Sequence, residues 1–155
     1  MRTTIVVTLA LALVACGQDK RKESPPVPAA GPEPAALAQT ASAAGARVFF
    51  ISPADGATVS NPVAIEFGIE GMTVAPAGDN QPDSGHHHLL IDTGLPDLGA
   101  PIPADDRHIH FGDGSTSTEI TLAPGEHTLT MLLGDYRHLP HDPPLVSEPI
   151  TITVE

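Results

Sequence analysis

The sequence predicts an all-β domain, a small immunoglobulin-like sandwich, carried behind a signal peptide and a disordered tether. Three observations point to that class. Short runs of β-branched and aliphatic residues alternate with period two. No window of a dozen residues carries a helical apolar stripe. The 17 prolines and 14 glycines recur too often along 155 residues to permit long helices.

In chain order, positions 1–15 read as a signal peptide. Arg2 precedes a mainly apolar run over 3–14, shorter than the roughly 20 apolar residues a membrane-spanning helix needs. The run ends in Leu13-Val14-Ala15-Cys16, which looks like the lipobox of bacterial lipoproteins. That resemblance implies lipidation of Cys16, cleavage before it, and a membrane anchor of several acyl chains. Cys16 is the only cysteine of the sequence, so cysteine-based zinc sites, cysteine nucleophiles and internal disulfides are excluded. Gly17, where sorting in some bacteria would read Asp, favours the outer membrane. The expected location is the cell envelope, facing the periplasm.

From Cys16 to position 46 the composition turns to Pro, Ala, Gly and Ser around a short charged patch, Asp19-Lys20-Arg21-Lys22-Glu23. Too few large apolar residues remain to fold, so 16–46 is expected to be an extended tether with its basic patch near the headgroups.

Residues 47–155 are long enough for one domain. They hold three arginines and no lysine against sixteen acids. Nucleic acid and anionic lipid are therefore poor partners for the domain, whereas a cation or a merely well-solvated surface suits the charge. Strands are predicted over 48–51, 58–59, 63–69, 88–91, 119–122, 128–133 and 149–154. In the last, Ile150, Ile152 and Val154 share one face and threonines take the other. The turn Ala123-Pro124-Gly125 precedes a strand alternating Leu129, Met131 and Leu133, and His127 enters it as a corner residue expected to hydrogen-bond across the turn. Gly112-Asp113-Gly114-Ser115-Thr116 lacks the lysine and the following helix of a phosphate loop and reads as a turn.

All eight histidines lie between positions 86 and 141: His86-His87-His88, His108-Ile109-His110, His127, and His138-Leu139-Pro140-His141. Imidazole is the commonest ligand for borderline transition metals, so the clustering points to metal chemistry. On a strand starting at Gly85, His87, Leu89 and Ile91 would face the core, leaving His86 and His88 pointing outward together. His108 and His110 repeat the spacing. Two such pairs on neighbouring strands could surround one ion, with Asp92, Asp105 or Asp106 as oxygen ligands. The proline-rich loop 134–144 could pre-position His138 and His141, with Asp135 and Asp142 orienting the rings, although a salt bridge of Asp135 to Arg137 is equally natural. The candidate ligands are thus His86, His88, His108, His110, His138 and His141, for copper or zinc. Met72 and Met131 could serve copper(I), though Met131 falls in the core pattern. The competing reading is a hydrogen-bonded histidine scaffold in an envelope structural or interaction module.

The ordered set Ser84-Gly85-His86-His87-His88-Leu89-Leu90-Ile91-Asp92, His108-Ile109-His110-Phe111-Gly112, Gly125-Glu126-His127-Thr128-Leu129 and His138-Leu139-Pro140-His141 resembles the bacterial domain of unknown function 4399 family, over about 48–155. The resemblance implies a small extracytoplasmic domain, often on lipoproteins, and no assigned activity. More loosely, Ser52-Pro53-Ala54-Asp55-Gly56-Ala57-Thr58-Val59 with Pro62 looks like the opening of periplasmic copper-carrier sandwiches. No His-Glu-x-x-His, Gly-x-Ser-x-Gly or assignable carboxylate pair is present, so the chain is expected not to be an enzyme. Several histidines protonating together would also make any bound metal sensitive to pH between 5 and 6.

Overall fold

The structure, a computed structural model, describes residues 37–155. The segments expected to be signal peptide, lipobox and, up to position 36, tether lie outside the described residues. Nine strands and no helix occur among them: β1 (Arg47–Ser52), β2 (Thr58–Val59), β3 (Val63–Glu70), β4 (Thr73–Val74), β5 (Ser84–Ile91), β6 (His108–His110), β7 (Ser117–Ile120), β8 (Gly125–Gly134) and β9 (Ile150–Val154). No described helix is long and apolar enough to cross a membrane.

The strands form a sandwich of two sheets. One has the order β1-β3-β7; the other has the order β2-β9-β8-β5-β4, with β6 also pairing β5. Alternation decides what faces inward. Val63, Ile65 and Phe67 of β3 meet Leu89 and Ile91 of β5, Leu129, Met131 and Leu133 of β8, and Ile150, Ile152 and Val154 of β9 in one core cluster. His127 closes the corner as expected: its Nδ1 lies 2.7 Å from Asp92 Oδ2 and its Nε2 2.8 Å from the Ala123 carbonyl. The Asp92 Oδ1 accepts the Thr128 amide at 2.8 Å. Asp92 is therefore a turn residue, at φ 51°, and takes no part in the histidine cluster.

One expectation is corrected. The outer face of β5 is not solvated: every residue of β5 is buried, His86 and His88 at 0 % exposure. The connection 92–107 and the loop 135–147 fold over this face, and Leu90, Leu132 and Ile102, with Leu98 and Val146 against them, form a second apolar cluster there. A strand covered on both faces needs apolar residues in succession, which Leu89-Leu90-Ile91 and Met131-Leu132-Leu133 supply. Residues 38–46 lie against the domain, with Ala43 and Ala46 packed on the main core.

Candidate metal centre

Register builds the centre. β5 pairs β6 antiparallel with His88 opposite His110 and Leu90 opposite His108, while β5 pairs β8 with His86 opposite Gly134, the strand end from which the His138 loop departs. Alternation places His86 and His88 on the outer face of β5, and the pairing brings His110 beside them. The loop then returns His138 over the same spot: the His138 amide donates to the Asp135 carbonyl at 2.8 Å, and its own carbonyl accepts the Ile102 amide at 2.8 Å. His138 takes the left-handed region at φ 69°, which His tolerates better than most residues and which turns its ring inward.

Four imidazoles converge. The Nε2 atoms of His86 and His88 are 3.1 Å apart, as are those of His110 and His138. Ring centroids lie 4.9 Å apart for His86–His88, His86–His110 and His86–His138, 5.0 Å for His88–His110, 4.7 Å for His110–His138 and 6.2 Å for His88–His138. One ligand atom from each of His86, His110 and His138 fits within a mutual span of 4.8 Å, which suits a single metal ion. Tetrahedral zinc with Zn–N of 2.0–2.1 Å sets its nitrogens about 3.3 Å apart. The 3.1 Å contacts need little adjustment to meet it. Gly112 makes room for this packing: any side chain there would run into the His110 ring.

The electrostatics favour the neutral form of His86, His88 and His110. Burial foremost, then the neighbouring His110 and His138, pushes His86 down to about 4, and burial followed by His86, His110 and His138 pushes His88 down to about 2. His110 is lowered too, by burial and then by His138, against the pull of Asp113. A neutral imidazole offers a lone pair, the form a metal binds. Without an ion, each close pair must have one ring donating its Nε2 hydrogen and the other accepting, and the buried Nδ1 atoms of His86 and His88 have no hydrogen-bond partner among the described residues.

Two of the six expected ligands stand apart. His108 lies one rung further along β6, its Nδ1 held 2.8 Å from Asp105 Oδ1, close enough to depress His88 but outside the ring cluster. His141 is fully buried on the inner side of the sheet, with its Nε2 2.9 Å from where a Cβ on Gly85 would stand. Irregular backbone around Pro140 sends His138 and His141 to opposite faces. Asp105 is spent on His108 and the amides of Arg107 and His108, and Asp106 is exposed, so no carboxylate joins the four rings. His87 sits in the core beside Phe67, their ring centroids 5.3 Å apart, with both nitrogens unpartnered and burial holding it at about 4.

Asp135 does not touch an imidazole. Its buried carboxylate accepts the amides of Arg137 at 2.8 Å and Leu139 at 3.0 Å, and Oδ2 accepts Arg137 Nη2 at 2.9 Å and the Thr40 hydroxyl at 2.8 Å. Burial alone would raise this carboxyl, but Thr40 and Arg137 more than offset it and the net direction is down. The salt bridge to Arg137 is thus present, and its work is to fold the loop that carries His138. Sequence reading missed Thr40, since nothing in a Pro/Ala-rich stretch marks one hydroxyl as a partner of a loop 95 residues away.

No curated protein and no solved structure matches the chain. The family described as Domain of unknown function (DUF4399) matches residues 65–155, which span most of β3, all of β4 to β9 and all eight histidines, and the chain belongs to that family.

Proposed function

We propose that this chain is a lipid-anchored, periplasm-facing binding domain that coordinates one transition metal ion through His86, His88, His110 and His138. The observation that carries this reading is the convergence of four imidazoles whose Nε2 atoms approach to 3.1 Å in two pairs. Five of the six ring separations fall between 4.7 and 5.0 Å. With the sixth separation at 6.2 Å, the four rings suit a flattened tetrahedral shell of the kind zinc(II) accepts. Met72 and Met131, the sulfur ligands copper(I) would favour, belong to the core between the sheets. Four imidazoles would complete a tetrahedral shell and leave no position for a substrate, which supports carriage, storage or sensing over catalysis. The anchor rests on the lipobox-like Leu13-Val14-Ala15-Cys16, and Cys16→Ala should move the chain from the membrane to the soluble fraction.

A second reading has one observation in its favour: each 3.1 Å contact is also a hydrogen bond, so the histidines could be scaffold alone. The unpaired Nδ1 atoms of His86 and His88 do not separate the two readings, because coordination through Nε2 leaves the ring hydrogen on the same unpartnered Nδ1. Alanine variants of the full chain separate the two. Loss of stoichiometric zinc uptake in His86→Ala, His110→Ala and His138→Ala, with uptake kept in His108→Ala and His141→Ala, supports coordination. Equal, weak uptake by all five supports scaffold.

A further inference from the structure

Residues 38–42 are tied chiefly to the loop that carries His138. Arg137 Nη2 donates to the Ala38 carbonyl at 2.7 Å. Gln39 Nε2 donates to the carbonyls of Leu98 and Pro140, each at 2.8 Å. The Thr40 hydroxyl donates to Asp135 Oδ2 at 2.8 Å. The Asp142 amide donates to the Thr40 carbonyl at 3.0 Å, the Ser42 amide to the Asp142 carbonyl at 3.2 Å, and the Ser42 hydroxyl to the Pro143 carbonyl at 2.9 Å. Residues 38–42 therefore run as a strap along residues 135–143, pairing with Asp142 through a parallel bridge at Ala41.

We propose that this strap is part of the metal centre: it sets the position of the ligand His138, so that metal affinity and strap docking are coupled. The proposal rests on the metal reading above. Its causal chain is short. Thr40 and Arg137 fix the Asp135 carboxylate, which in turn holds the amides of Arg137 and Leu139 on either side of His138. That clamp offsets the cost of holding His138 at φ 69°, and so keeps its Nε2 3.1 Å from His110 Nε2. His86 and His88 need no such help, because β5 is hydrogen-bonded on both edges. The centre is thus half rigid and half strapped. By linkage, whatever peels residues 38–42 from the loop weakens metal binding by the factor by which bound metal resists the peeling. The strap is contiguous in sequence with the expected tether, so a pull or a partner acting there has a direct route to the ligand.

The test uses the full chain with Thr40→Val, which replaces the donating hydroxyl by a methyl group of similar size, and Thr40→Ser, which restores a hydroxyl. Supports of a ligand's orientation typically alter metal affinity by about tenfold to a hundredfold. Zinc affinity by competition with a chromophoric chelator should fall about tenfold in Thr40→Val and return in Thr40→Ser. Imidazole nitrogen NMR of the metal-free chain should show His110 and His138 moved by Thr40→Val and His86 and His88 unmoved, a pattern that general destabilisation would not give. If the parent chain takes up no zinc, the metal reading fails while the NMR pattern still decides whether the strap positions His138. Unchanged affinity together with unchanged His110 and His138 signals overturns the proposal.

Discussion

Acid should destabilise the metal-free domain from its histidines before its carboxylates titrate. Burial holds His86 and His87 at about 4 and His88 at about 2, with neighbouring imidazoles adding to the effect on His86 and His88, against an ordinary value of 6.5. All three are fully buried. Unfolding returns them to water, so below pH 6.5 the unfolded chain binds protons that the folded one refuses. Stability therefore rises with pH in this range: it is complete above about 6.5 and is lost as pH falls toward 4. At pH 5 the loss is roughly 2 kcal/mol for each ring, about 6 kcal/mol for the three, against the 5–15 kcal/mol that holds a typical domain together. His127 runs the other way. The Ala123 carbonyl first, and Asp92 second, raise it, so its contribution is present at low pH and is lost as pH rises through the raised value. One such ring does not cancel three. Urea unfolding of the chelator-treated chain, followed by circular dichroism at pH 5, 6, 7 and 8, should show the midpoint dropping steeply below 6.5. A midpoint unchanged from pH 8 to pH 5 would refute the claim that these rings are buried and neutral.

Other consequences concern single residues. His87→Phe removes two unpartnered buried nitrogens and keeps a ring beside Phe67, so thermal unfolding should show equal or higher stability with zinc uptake unchanged; a loss above about 2 kcal/mol would reveal a partner for the imidazole. His127→Ala breaks its contacts to Asp92 and Ala123 and should cost roughly 2 kcal/mol in denaturant unfolding without altering metal affinity. Gly85→Ala would bring its Cβ to 2.6 Å from the Gly134 carbonyl oxygen, which is backbone and cannot yield, so the melting temperature should fall by several degrees at least. Saturating zinc should raise the unfolding free energy of the parent chain by about 2.7 kcal/mol at a hundred times the dissociation constant, and should do so far less in His138→Ala.

How much of this was legible in the sequence differs from element to element. β3 and β9 could be read almost to the residue, because one covered face imposes a period of two. β4 and β6, two and three residues long, carry too few positions to show any period and were not predicted as strands. The His-x-His spacing of His86 and His88, and of His108 and His110, was visible. Which rungs meet was not, because register is a long-range property: pairing His88 with His110 leaves His108 opposite Leu90. The outward reading of His86 and His88 followed from counting one buried face where there are two. The succession Leu89-Leu90-Ile91 held the contrary signal. His138 and His141 share a loop without periodicity, so spacing could not tell that one turns to the cluster and the other to the opposite side of the sheet. Residues 38–46 look like tether by composition, and what orders them is backbone pairing and the side chains of Gln39 and Thr40, to which composition is blind.

The central claim is that four imidazoles form one metal centre. Titration of the full, chelator-treated chain with zinc(II) by calorimetry at pH 7.5, with cobalt(II) as an optical probe beside it, tests it most directly. The account predicts saturation at one ion per chain, a dissociation constant below micromolar, and the intense visible bands of tetrahedral cobalt. Weak binding that does not saturate, or octahedral cobalt spectra with no loss in His86→Ala and His138→Ala, would contradict it.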